Sequence, residues 1–339
     1  SARENAFGPI LGPALVSNNT QQAHNPFRYG YYAGGRKTPG TGATTDVERI
    51  DYENDTATAL IKGPLSIAIL GGAATANTSF GYVVGGNIPD APYYTSTAQR
   101  IEFTNDTATT LEKGSLTSLK TNLLAAGNSN FGYFGAGSDG QSPYSNSDVD
   151  RLDYSNDTAT AVEKGSLTLD RNGGTATGNL SFGYFAGGYG GQPNYDKTST
   201  VDRIDYSNDT ATASPKGPLT SIRYNNAATG NSDFGYFGGG SAGLSFPVST
   251  VDRIDYSNDT ATASPKGPLS QGDYGTSQLA ATGNASFGYF GAGYVWSFNR
   301  SIVDRIDYSN DTATASLRGP LNYTRVLATA CSGAEYGLS

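Results

Sequence analysis

The sequence is poor in the residues from which many catalytic centres are assembled. It holds one cysteine, Cys331, and one histidine, His24, in 339 residues. A single cysteine excludes an intrachain disulfide framework and any cysteine-based zinc cluster. A single histidine excludes a histidine-rich metal site within one chain, so neither metal nor cofactor is expected. Charge is sparse too: 15% of residues are charged, and 30 acidic residues outnumber 22 basic ones for a net −8. That sign disfavours a broad grip on nucleic acid, which needs clustered Lys and Arg. The low charge also excludes a charge-expanded disordered chain. No apolar run is long enough to cross a bilayer, so membrane insertion is not expected. No charged-then-apolar leader opens the chain; the expectation is a protein that does not use that export route or has lost its leader.

Glycine, by contrast, is plentiful. The 45 glycines are about 13% of the chain, against a usual ~7%. Glycine and Asn/Asp punctuation between short β-type runs points to an all-β protein.

Internal repetition organises the whole chain. An aromatic-Gly-Tyr triplet starts at Tyr29, Phe80, Phe131, Phe182, Phe234 and Phe287, at spacings of 51, 51, 51, 52 and 53 residues. Each triplet is followed by a Val-Glu-Arg-Ile-Asp-Tyr-like block, ending at Tyr52, Phe103, Tyr154, Tyr206, Tyr256 and Tyr308. An Asn-Asp-Thr-Ala-Thr block then begins at Asn54, Asn105, Asn156, Asn208, Asn258 and Asn310. One unit parses into four strands: a small-residue run at Asn225–Gly230, then Phe234–Phe237, Thr250–Tyr256, and Thr260 to about Ser264. Pro265 and Gly267-Pro268 are expected to stop the fourth strand, because proline cannot donate to a ladder. Asn258 and Asp259 are expected to form the tight turn before it. Four short strands in about fifty residues is the pattern of a propeller blade.

The small-residue run suits the crowded axis, so it is placed innermost. The first unit lacks such a run, while an extra one, Val326–Ser332, follows the last unit. The C-terminal strand is therefore expected to complete the first blade and close the ring, removing open edges. The fold class is all-β: a six-bladed propeller over residues 27–339, preceded by an extended arm over 1–26.

Gly-Gly after the second strand, an aromatic after the third, a turn and a fourth strand resemble the kelch repeat over about residues 27–334. That resemblance implies a kelch-like propeller closed by its C-terminal strand. It departs at Ala59, Thr110, Ala161, Ala213, Ala263 and Ala315, near the place where kelch repeats carry tryptophan. The spelling Ser-Thr-Val-Asp-Arg-Ile-Asp-Tyr-Ser-Asn-Asp-Thr-Ala-Thr, with Phe-Gly-Tyr-Phe-Gly-Gly-Gly, also resembles repeats in virion proteins of marine bacteriophages, cyanophages included. It implies a virion or extracellular setting, as a tail, fibre or capsid appendage, with other virion proteins or a cell-surface receptor or glycan as partners.

Each third strand carries an arginine and, two residues on, a carboxylate: Arg49 and Asp51, Arg100 and Glu102, Arg151 and Asp153, Arg203 and Asp205, Arg253 and Asp255, Arg305 and Asp307. Residues i and i+2 share one strand face. The expectation is a partly buried Arg–carboxylate pair locking blade to blade, as planar forks; an anion-binding arginine ring is the catalytic alternative. Asn-Asp-Thr matches the glycosylation pattern, and Asp205, Asn208 and Asp209 offer oxygens to calcium; both readings compete with a plain turn. No unique nucleophile, base or carboxylate pair stands out, so the chain is read as no enzyme.

The connections after the second strand vary most between copies. They hold Tyr93, Tyr94, Tyr144, Tyr189, Tyr195, Phe246, Tyr294, Trp296 and Phe298. Of these, Tyr93, Tyr94, Tyr144, Tyr195, Phe246, Trp296 and Phe298 are the candidate partner-binding residues, since aromatics on loops suit protein contacts or sugar stacking. Folding down as a lid is the alternative. The expected function is a non-enzymatic attachment or assembly module, with the arm as a route to a homo-oligomer. The alternatives are a lectin and, third, a propeller hydrolase or lyase.

Overall fold

The computed structural model describes residues 25–38, 42–141, 144–190, 194–243, 246–271, 275–295 and 298–333. The described residues form six four-stranded antiparallel sheets, with three short two-stranded ones beside them. Their inner strands touch in a closed circle, the last meeting the first. The fifth blade is representative, running outward through Ala227–Gly230, Phe234–Gly238, Val251–Asp255 and Ser264–Lys266. The first is built from both ends of the chain: Thr329–Ser332, Tyr29–Ala33, Val47–Asp51 and Leu60–Ile61. Tyr31 stands opposite Cys331 and Ala33 opposite Thr329, so the C-terminal strand closes the ring as expected. The start of the predicted closing run behaves differently: Val326 joins Arg325 in a two-residue strand that pairs with Arg36–Lys37.

Sequence pattern explains the layering. Inner strands such as Ala73–Ala76 and Ala227–Gly230 are small and fully buried. Bulky residues of the second and third strands fill the wedges between blades. One wedge holds Leu124, Ala126, Tyr133 and Val149 of the third blade against Ala176, Phe185, Ile204 and Ala213 of the fourth. Burying a side chain such as Phe185 contributes about 1.5–3 kcal/mol.

The outer strand lies further along than the sequence suggests. It spans Ser264–Lys266, with Pro265 opposite Asp252. Proline is tolerated because this is an edge strand, where a missing N–H costs no ladder bond. The preceding segment serves the junction instead. Ala263 N–H donates to Pro218 O, and Gly217 N–H donates to Asp259 O. A Cβ on Gly217 would lie 1.8 Å from Ala261 O, so only glycine allows this approach.

At the axis the blades are joined by a ring of peptide groups. Gly71 donates to Leu327 O, Asn122 to Gly71 O, Gly173 to Asn122 O, Asn225 to Gly173 O, Gln278 to Asn225 O and Leu327 to Gln278 O, at 2.5–3.0 Å. All six residues are left-handed, with φ between 52° and 66°. That conformation turns each N–H toward the preceding blade, at some cost for Leu327.

Candidate binding face

The arginine motif builds the opposite side of the ring. Each arginine reaches the next blade, but its partner is the aspartate of the Asn-Asp-Thr block, not the carboxylate two residues on. The pairs are Arg49–Asp106, Arg100–Asp157, Arg151–Asp209, Arg203–Asp259, Arg253–Asp311 and Arg305–Asp55, at 2.6–2.8 Å. Each aspartate also accepts from a tyrosine hydroxyl of the preceding blade: Tyr31, Tyr82, Tyr133, Tyr184, Tyr236 or Tyr289. A second cation completes each site: Lys62, Lys113, Lys164, Lys216, Lys266 or Arg318. The guanidinium lies over the aromatic that opens its own second strand, as Arg203 lies over Phe182 at 4.2 Å. Beneath it, tyrosines stack across the junction, Tyr184 on Tyr256 at 4.7 Å.

The carboxylates at i+2 do different work. Asp153, Asp205, Asp255 and Asp307 accept from the backbone N–H and the hydroxyl of Ser155, Ser207, Ser257 and Ser309, capping a 3-10 turn. Asp51 caps Glu53 N–H and pairs with Arg28 at 2.7 Å. Glu102 alone comes within salt-bridge range of its arginine, Arg100 at 3.7 Å. The strand ends at this position, so the five aspartates turn to the nearest free N–H groups while the longer arginine crosses the wedge; Glu102 makes no such capping bond. The serine hydroxyl and backbone bonds hold the Asp205 carboxyl below the usual range. Asp209 is also lowered: burial opposes this, but its bonds to Tyr133 and Lys164 and the Arg151 charge outweigh it. Tyr133, Arg151 and Lys164 converge on the Asp209 oxygens.

The variable connections emerge on the other face. Short hairpins stand there, such as Ser241–Ala242 with Phe246–Pro247, and Tyr294–Val295 with Phe298–Asn299. Tyr93, Tyr144, Tyr195, Phe246 and Phe298 are 60%, 38%, 43%, 61% and 68% exposed. Tyr93, Tyr144 and Tyr195 hold φ of 67°, 66° and 50°, a conformation that bulky residues rarely adopt. Tyr94 is half-buried, its ring so close to Gly140 of the next loop that a Cβ there would lie 2.5 Å away. Tyr189 is edge-on to Tyr224. The loops are therefore braced by Tyr94 and Tyr189 and tipped by the five exposed aromatics. Trp296, His24 and residues 1–24 of the arm lie outside the described residues.

At the centre of this face lies an axial cavity of about 100 Å³. Among the described residues its lining is Gly, Ala, Leu, Thr, Asn and Gln, none of which carries a charge. Among the described residues, no three of His, Cys, Asp and Glu converge as a metal site. Cys331 is buried in the closing strand, where burial pushes its thiol up to about 12. The sequence carried no signal for the peptide ring or for the tyrosine–arginine–lysine–aspartate clusters as units; only the repetition of each residue type hinted at them.

No family model matches the sequence, and no curated protein matches it. Comparison with solved structures finds the structure of YjhT, at a TM-score of 0.64 and 11% identity, covering 79% of this chain and 88% of that one. At that identity the similarity speaks for architecture alone. The chain is a six-bladed β-propeller.

Proposed function

We propose that this propeller is a non-enzymatic attachment module that presents the aromatic-tipped loops of one face to a protein partner. The observation that carries this reading is the set of five exposed aromatics on that face, three of them in left-handed backbone. Tyr93, Tyr144 and Tyr195, exposed in a costly backbone conformation, suit a surface that meets a partner. The uncharged lining of the axial cavity supports a non-catalytic role. The repeat spelling, kelch-like and akin to that of marine phage virion proteins, motivates the setting: a tail, fibre or capsid appendage. Mass spectrometry of purified virions tests that setting, and absence of the protein from them overturns it. Replacing Tyr93, Phe246 and Phe298 by alanine together should abolish partner binding without moving the melting midpoint. A glycan array tests the lectin reading, which the same aromatics favour through sugar stacking. Saturable binding lost in that triple variant would replace the protein partner with a sugar.

A further inference from the structure

A second polar position recurs on the loop-bearing side of each blade. The second residue of the Val-Asp-Arg-Ile-Asp-like segment is Glu48, Gln99, Asp150, Asp202, Asp252 or Asp304, each no more than 2% exposed. The position facing it precedes each inner strand and is Arg325, Ile69, Lys120, Arg171, Arg223 or Thr276. The backbone establishes that these six correspond. Each carbonyl accepts from the last glycine of a Gly-Gly or Ala-Gly pair in the preceding blade: Gly293, Gly35, Gly86, Gly137, Gly188 or Gly240.

Four blades set a cation against the acid: Arg325 with Glu48, Lys120 with Asp150 at 3.1 Å, Arg171 with Asp202, and Arg223 with Asp252 at 2.9 Å. In the second blade both partners are neutral together. Ile69 faces Gln99, whose amide is satisfied by Ser66 and Ile67. In the sixth, one side alone differs: Thr276 stands at the cation position and Asp304 remains an acid. Asp304 Oδ2 accepts from Ser270 N–H at 3.2 Å. Asp304 Oδ1 and Thr276 Oγ1 have no hydrogen-bond partner among the described residues, although each residue is only 2% exposed. A buried carboxylate without a counter-charge costs several kcal/mol.

The fifth blade shows what such a site receives. Arg223 Nη2 donates to Asp252, while Nη1 donates to the carbonyls of Gly239 and Thr250 at 3.4 and 3.2 Å. The sixth blade repeats that backbone. Phe290 faces Asp304 as Phe237 faces Asp252, and Ala292 N–H donates to Ile302 O as Gly239 N–H does to Thr250 O. The carbonyls equivalent to those of Gly239 and Thr250 are therefore those of Ala292 and Ile302.

We propose that the sixth blade binds a small monovalent cation of the alkali type between the Asp304 carboxylate, the Thr276 hydroxyl and the carbonyls of Ala292 and Ile302. All the donors are oxygen, which suits a hard cation. One carboxylate balances one positive charge, whereas a divalent ion would leave a net charge in a buried site. Burial also disfavours the charged form of the Asp304 carboxyl and holds it above the usual range, so a positive charge beside it would offset that cost.

Melting of the full chain in sodium, potassium and choline chloride at one ionic strength tests the site. Sodium or potassium should raise the midpoint saturably, by a few degrees, over choline. Thr276→Arg supplies the missing guanidinium, so this variant should melt higher in choline and lose the dependence. Asp304→Asn should lose it too. Equal midpoints in the three salts overturn the proposal, as does a cation-specific shift that survives both substitutions. Should neither variant fold, sodium-23 relaxation of the unaltered protein decides: broadening that potassium competes away supports the site, and an unchanged line removes it.

Discussion

The junction between the fourth and fifth blades allows a quantitative ordering of two substitutions. Arg203→Ala removes one charge-assisted bond, 2.7 Å to Asp259, and the contact over Phe182 at 4.2 Å. Asp259 keeps the Tyr184 hydroxyl at 2.9 Å and Lys216 at 3.3 Å. The bond contributes about 1.5–3 kcal/mol and the ring contact about 0.5–1 kcal/mol. Arg203 is 23% exposed, so water replaces part of both; the expected loss is about 2 kcal/mol. Asp259→Ala is the harsher change. It leaves the buried Tyr184 hydroxyl, Arg203 and Lys216 without their common acceptor, at a cost of about 3–5 kcal/mol. For a chain of this length, 1 kcal/mol moves the melting midpoint by about 1.5 °C. Calorimetry should therefore show a fall of about 3 °C for Arg203→Ala and about 4–8 °C for Asp259→Ala. An arginine variant that melts as low as the aspartate variant would refute the reasoning, because the aspartate would then not be the hub. Two unchanged midpoints would remove the junction from the stability of the ring altogether.

Other outcomes follow from the same geometry. Gly217→Ala should cost about 1–3 kcal/mol by pushing the outer strand off Ala261 O, whereas Gly42→Ala, with nothing within 4 Å, should leave the melt unchanged. Acid should destabilise the fold. The Asp153, Asp205, Asp255, Asp307 and Asp209 carboxyls are all lowered in the folded state, so their contribution is complete above the unfolded value of about 3.9 and is lost as pH falls through the folded values. Melting midpoints should hold between about pH 7 and 5 and drop below about pH 4, and a flat profile to about pH 3 would contradict this. Removing residues 329–339 should expose the second strand of the first blade and abolish a single cooperative transition; a truncated chain that melts as sharply and as high as the full one would contradict ring closure.

Much of the architecture was legible because repetition multiplies a weak signal. A single Phe-Gly-Tyr triplet says little, but six copies in one order impose one strand plan, and the stray run at Val326–Ser332 can then go only to the first blade, where the structure pairs its Thr329–Ser332 part. Pairing was harder to read. Arg203 and Asp205 share a strand face by period, yet the side chains part company because Asp205 sits at the strand end beside Ser207 N–H. Pro265 misled for a related reason, since the ban on proline in a ladder does not extend to an edge. Among the loop aromatics, sequence could not separate the exposed Tyr93 from the half-buried Tyr94, because that depends on Gly140 of another blade.

The sequence by itself determined the number of blades, the order of their strands and which connections vary, since these follow from local periodicity and from counting. Only the tertiary structure decided which acid each arginine meets, which six peptides join at the axis and that Asp304 lacks the cation its counterparts have. The first two are contacts between residues about fifty or more positions apart, or across the closure of the ring, and their partners are selected by the curvature that brings neighbouring blades together. The third lies within one blade, where the fold brings the segment before the inner strand onto the third strand, as with Arg223 and Asp252, 29 positions apart.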